Sequence, residues 1–184
     1  MKITPLKIKD VMLVAPYVFE DDRGFFFESY HEQKFRKASG LNVRFLQDNH
    51  SKSAHGVLRG LHFQKGKYAQ GKLVRVLQGE IFDVAVDIRS NSETFGCWVS
   101  AVLSAENKKQ LWIPTGFAHG FLALSDTVEV AYKTTAYYNQ QSEGCLIWND
   151  ADVNIEWPDN VTPKLSSKDQ EGLPLSLLTA ELTP

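Results

Sequence analysis

Cysteine is scarce: the 184 residues hold two, Cys97 and Cys145, with neither the spacing of a disulfide framework nor that of a Cys-x-x-Cys metal site. Both lie in apolar-rich segments and read as buried free thiols in a reducing cytoplasm. No stretch approaches the roughly 20 consecutive apolar residues that cross a bilayer. The opening Met1-Lys2-Ile3-Thr4-Pro5 lacks the apolar core of a secretion signal, so a cytoplasmic protein without a membrane partner is expected. Excess charge is also missing. Twenty Lys and Arg against 22 Asp and Glu leave a formal −2, which gives no electrostatic basis for a nucleic-acid partner. There is no Gly-x-Gly-x-x-Gly after a strand, no phosphate-binding loop ending Gly-Lys-Ser/Thr and no Gly-x-Ser-x-Gly elbow. These absences speak against dinucleotide binding, P-loop chemistry and serine acyl transfer. Repeats, low-complexity runs and linkers are absent up to about residue 155. Residues 1–184 are therefore read as one domain, with the tail from about 158 less regular and packed back on the rest.

What is present is a β protein. A chain of this length buries roughly 70% of its unfolded surface and needs no staple. Period-two alternation marks Lys72 to Leu77 and Ile81 to Ile88, and the Gln78-Gly79-Glu80 link between them predicts a hairpin. Further strands are expected at Val43–His50, Val57–Phe63, Cys97–Leu103, Gln110–Ile113, Phe121–Leu124 and Thr127–Thr135. Short strands with turns every 8–12 residues indicate an antiparallel barrel or sandwich. A helix is expected over His31–Ala38, stopped by Gly40, and another begins near Leu165-Ser166-Ser167-Lys168-Asp169 with serine as its cap.

The alternation also selects polar exceptions. Tyr132 falls on one face with Val128, Val130 and Thr134. Lys72 lies with Val74 and Val76, and Asp83 with Ile81 and Ala85. Strict alternation puts Arg59 and His62 on opposite faces, unless Gly60 supports a bulge. An imidazole, a cation and a phenol together can remove a proton beside a carbonyl, hold the enolate and return a proton. Pro114-x-Gly116-x-x-His119 resembles the second half of the cupin metal motif. The first half reads His62-Phe63-Gln64 where a His-x-His pair is normal. Two histidines fall short of the usual three ligands, so no metal is expected.

The stretches that carry a family likeness are Asp22-Arg23-Gly24-Phe25-Phe26, Gln47-Asp48-Asn49-His50-Ser51, Arg59-Gly60-Leu61-His62-Phe63-Gln64 and Lys72 to Glu80. Ile113 to Phe121, Val130 to Thr135 and Leu165 to Asp169 complete the set. In this order and spacing the chain resembles the dTDP-4-dehydrorhamnose 3,5-epimerases over nearly its whole length. The resemblance implies an all-β, antiparallel cupin or jelly-roll barrel with a few short helices. The implied reaction is metal- and cofactor-independent epimerisation of dTDP-4-dehydro-6-deoxy-D-glucose at C3 and C5, in dTDP-L-rhamnose biosynthesis. His62 is then the base, Asp169 its orienting partner, Lys72 the enolate stabiliser and Tyr132 the opposing acid. Arg59 and His119 correspond to contacts with diphosphate or sugar, and Asp83 to a polar neighbour of His119. Arg23, Glu28, Gln47 and Asn49 correspond to nucleotide contacts, in part across a homodimer interface. Tyr138 matches an aromatic stacked on thymine, with Phe19 close by, while Glu143 and Lys168 match further ligand positions. Phe63 stands where tyrosine is frequent, and Asn149-Asp150 where two acids are expected.

The chemistry fits the resemblance. C3 and C5 flank a C4 ketone, so both protons become removable once charge can settle on that oxygen. Inverting a centre needs a base on one face and an acid on the other, which a His/Tyr pair supplies. The same proton chemistry also serves mono-epimerases and 3,4-ketoisomerases. A non-catalytic sugar-binding cupin would have no need of Lys72 and Tyr132, and the lost His-x-His counts against a metal-dependent oxygenase.

Overall fold

The structure, a computed structural model, describes residues 1–182. In chain order its strands are β1 (Lys2–Pro5), β2 (Met12–Ala15), β3 (Phe19–Asp21), β4 (Gly24–Phe26), β5 (Gln47–Ala54), β6 (Leu58–Gln64) and β7 (Lys72–Gln78). They continue with β8 (Glu80–Asp87), β9 (Trp98–Ser104), β10 (Gln110–Ile113), β11 (Phe117–Ala123), β12 (Thr127–Thr134) and β13 (Glu143–Cys145). The helices are α1 (Glu32–Ser39), α2 (Ser167–Gln170) and α3 (Leu175–Leu182). One sheet runs β1-β2-β10-β7-β12-β5, a second runs β13-β6-β11-β8-β9, and β3-β4 form a separate ribbon.

The two large sheets face each other. Val74, Val76, Leu111, Ile113, Val128 and Val130 of the first meet Ile81, Ala85, Val99, Leu103, Phe117 and Phe121 of the second. This is the antiparallel all-β architecture expected from the strand pattern, and its cupin-like form is the one the family resemblance implies. Both outer faces are partly covered as well. On the first sheet, α1 buries Phe35 completely against Leu73, Val14 and Trp112. Phe35, Phe45 and Trp112 meet edge-on with centroids 5.8–5.9 Å apart, the arrangement ring quadrupoles favour. On the second sheet the tail does the covering, with Val161 against Leu58 and Leu122, and Leu175 and Leu178 among Val84, Val86 and Ala118. Covering on both sides explains why all seven residues of β11 are buried.

Several expectations need correction. β7 and β8 form no hairpin, because they belong to different sheets. The left-handed Gly79 (φ 75°) turns the chain from one layer into the other, and an added Cβ there would lie 2.4 Å from the Thr127 carbonyl oxygen. The strand expected at Val43–His50 is displaced to Gln47–Ala54. Val43 and Phe45 instead pack in the α1 cluster. β11 starts at Phe117 rather than Phe121. Cys97 is exposed and Cys145 half-buried, so the thiols are free but not both enclosed. The helix ending at a left-handed Gly40 (φ 73°) and the serine cap, at Ser166, are as expected.

Candidate active site

A polar cavity of about 250 Å³ opens among the inward faces of β5, β6, β7, β11 and β12. Its walls include Arg59, His62, Lys72, His119, Tyr132, Tyr138 and Glu143. The bulge at Gly60 brings Arg59 and His62 to one cavity. The β6–β11 register pairs His62 with His119 and then shifts, so that Arg59 pairs with Phe121. Gly60 (φ 122°) makes the shift possible, since a Cβ on it would sit 2.6 Å from Gly120 Cα.

His62 Nε2 lies 2.6 Å from Asp169 Oδ1, contributed by α2. Ser166 caps that helix, accepting from the Asp169 N–H at 3.2 Å and donating its hydroxyl to Asp169 Oδ2 at 2.7 Å. Burial pushes the Asp169 carboxyl up, but the hydrogen bonds from His62 and Ser166 outweigh it and hold the group below its ordinary value. With Nε2–H donated to a carboxylate, Nδ1 of His62 carries the free lone pair.

Lys72 donates from Nζ to the His62 carbonyl at 3.1 Å. Burial lowers its ammonium to about 8, against the attraction of Asp83 and Glu143. His119 Nε2 contacts Asp83 Oδ1 at 2.7 Å, and burial lowers the imidazole while Asp83 pulls it back up. Burial raises the Tyr132 phenol, against the pull of Arg59. Arg59 is anchored to the Ser53 hydroxyl at 3.0 Å and the Lys52 carbonyl at 2.9 Å.

Around the cavity, the Tyr138 hydroxyl donates to Glu143 at 3.0 Å, and Glu143 also pairs with Lys168. Gln47 accepts from the Tyr138 N–H at 3.0 Å and donates to Asn49 at 2.9 Å. Asn49 itself lines a neighbouring cavity with Asp48 and Lys133, and Phe19, Arg23 and Glu28 lie outside both. Phe19 and Arg23 sit on the exposed β3–β4 ribbon, where Arg23 pairs with Asp21, and Glu28 pairs with Lys34. Ser51, Gln64 and Gln70 also wall the cavity. Apart from the alternation on β5, which puts Ser51 on one face with Gln47 and Asn49, nothing in the sequence pattern marks them as site residues. Cys145, expected as a buried free thiol, stands opposite His62 in the β6–β13 register. Burial raises its thiol to about 11.

A barrel enclosing an imidazole–carboxylate pair with a buried lysine and a half-buried phenol belongs to the class of proton-transferring isomerases. Comparison with known proteins makes the class specific. The family model described as dTDP-4-dehydrorhamnose 3,5-epimerase matches residues 5–176. The Salmonella typhimurium protein of that name is 59% identical over 169 residues, covering 92% of each chain. A Legionella pneumophila dTDP-6-deoxy-D-glucose-3,5-epimerase solved with dTDP-4-keto-L-rhamnose superposes with a TM-score of 0.95. It is 48% identical, over 100% of this chain and 97% of that one. A 3'-monoepimerase from Streptomyces bikiniensis, in complex with dTDP-quinovose, gives a TM-score of 0.89 at 32% identity, covering 98% and 89%. The chain belongs to the dTDP-4-dehydrorhamnose 3,5-epimerase family and is an isomerase.

Proposed function

We propose that this cavity epimerises dTDP-4-dehydro-6-deoxy-D-glucose at C3 and C5. Nδ1 of His62 takes the proton beside the C4 ketone, and Asp169 holds the tautomer that leaves Nδ1 free. The Lys72 ammonium stabilises the enolate oxygen, the kind of preorganised charge that contributes most in such reactions. Tyr132 returns a proton from the opposite face. Arg59 and His119 hold the diphosphate and sugar, with Asp83 fixing His119. Gln47, Asn49, Tyr138, Glu143 and Lys168 receive the nucleotide, and Arg23, Glu28 and Phe19 reach it from a second subunit of a homodimer. The observation that carries the reading is the 2.6 Å His62–Asp169 pair at a cavity that Lys72 and Tyr132 also line.

Among the described residues no helix is long and apolar enough to cross a membrane. Two unpaired cysteines suit a reducing cytoplasm, which we take as the site of action.

The test is incubation of EDTA-treated protein with the 4-keto sugar nucleotide in D₂O, followed by mass spectrometry and NMR. Deuterium at both C3 and C5 is expected. Uptake at one carbon would make the protein a mono-epimerase or ketoisomerase, and no uptake would overturn the reading.

A further inference from the structure

Cys145 has no part in the proposed chemistry, yet it completes a mixed donor set. One nitrogen of His62, the Cys145 sulfur and one Asp169 oxygen all lie within 4.8 Å of one another. Neither Cys145 nor Asp169 lines the substrate cavity, whereas His62 does. The three donors thus converge on the Asp169 side of the imidazole. A nitrogen, a thiolate and a carboxylate suit a borderline-to-soft divalent cation, and oxygen-seeking Mg²⁺ or Ca²⁺ would be poorly served. Bonds of about 2.0–2.3 Å to one centre put donors roughly 3–4 Å apart, so side-chain shifts suffice to close the site. Ser166, bonded to the far oxygen of Asp169, braces the carboxylate in the way outer hydrogen bonds steady metal ligands.

We propose that His62, Cys145 and Asp169 form an inhibitory site for a Zn²⁺- or Cd²⁺-class cation. The proton balance explains the inhibition. The cation takes the Nε2 lone pair, so the proton on Nε2 moves to Nδ1. The thiol releases its proton to solvent as the metal–sulfur bond forms. Nδ1, now protonated, can no longer accept a proton from the sugar. Because the metal sits behind the imidazole, turnover falls while substrate binding persists. The metal site stands on geometry alone, and only its inhibitory effect rests on His62 being the base.

The probe is Cd²⁺ added to the intact protein in a Cys97→Ser background, which removes the other thiol. One equivalent per chain should produce the ultraviolet cadmium–thiolate absorption, lower kcat with KM unchanged, and be reversed by EDTA. Adding Cys145→Ser should leave metal-free activity intact and abolish the absorption. It should also raise the cadmium needed for inhibition by at least about tenfold, the loss that even an outer-shell change brings. Three results would each overturn the proposal: no absorption in the Cys97→Ser protein, equal inhibition with and without Cys145, or a saturated absorption with undiminished kcat. His62→Ala assayed without metal separates the two readings, since near-normal turnover there removes the base assignment whatever cadmium does.

Discussion

A histidine accepts a proton only through the nitrogen that lacks one, so the group bonded to its other nitrogen decides whether it can act. Asp169 sets that condition for His62 at 2.6 Å, and Ser166 sets it for Asp169. Asp169→Asn keeps the shape but lets the amide donate to Nε2, which favours the wrong tautomer. We expect kcat to fall by ~10²–10⁴-fold with KM little changed, and His62→Ala and Tyr132→Phe to lose as much while circular dichroism stays native. A KM effect alone in Asp169→Asn would reduce the residue to a binding role. Lys72 adds a pH dependence. The groups facing it are the Asp83 and Glu143 carboxylates, His119 and the His62 backbone. Its protonated form is the one that stabilises an enolate, and it is lost as pH rises through about 8. The rate should therefore decline above that value. Lys72→Arg, whose guanidinium does not deprotonate, should keep residual activity without that decline. An unchanged alkaline limb in the arginine variant would assign the titration to another group.

At the scale of elements, a hydrophobic period marks a strand only where that strand faces an apolar core. β12 was legible because Val128, Val130 and Tyr132 alternate against a real core. β5 was not: Gln47, Asn49, Ser51 and Ser53 form its less exposed face, with Ser51 in the cavity wall, while Asp48, His50 and Lys52 are exposed. A strand that walls a wet site carries no apolar period, and the hydrophobic Val43 and Phe45 just before it belong to the α1 cluster instead. β7 and β8 failed differently. Period two reports which face a residue takes, not which strand it pairs with, and a left-handed glycine between two strands serves a layer crossing as readily as a hairpin. The connection after β8 yields a stability prediction. Asp87, fully buried, accepts from Arg89, Ser92 and Thr94, and these bonds outweigh the upward push of burial to hold it below its usual 3.8. A lowered carboxyl contributes stability that is present above the unfolded value and is lost as pH falls through the folded one. Asp87→Asn should thus cost about 2–3 kcal/mol near neutrality, the scale of hydrogen bonds to a charged group, and less in acid. Urea midpoints between about pH 3 and 6 check this, and parallel curves for the two proteins would refute it.

At the scale of the whole molecule, the β3–β4 ribbon is the feature a single chain does not explain. Phe19, Phe25 and Phe26 are 65%, 60% and 67% exposed, and Tyr17 just before them 71%. So much aromatic surface on a two-stranded ribbon is costly to leave in water and marks an interaction site. The same ribbon carries Arg23, a guanidinium expected to meet nucleotide, yet Arg23 does not line the cavity of its own chain. Both observations are accounted for if the ribbon packs on a second copy and delivers Arg23 to that copy's cavity. A two-fold interface repeats the exchange in reverse, so each dimer holds two shared sites. Light scattering should then report a dimer, and a complementation experiment identifies the owner of each site. Arg23→Ala and His62→Ala proteins are each expected to be nearly inactive alone. In a hybrid, the cavity that keeps His62 receives Arg23 of the partner subunit and is whole, while the other lacks both. Random exchange of an equal mixture makes half the dimers hybrids with one working site of two, so activity should recover to about a quarter of wild type. If Arg23 served its own chain, every site would lack one of the two residues and mixing would restore nothing.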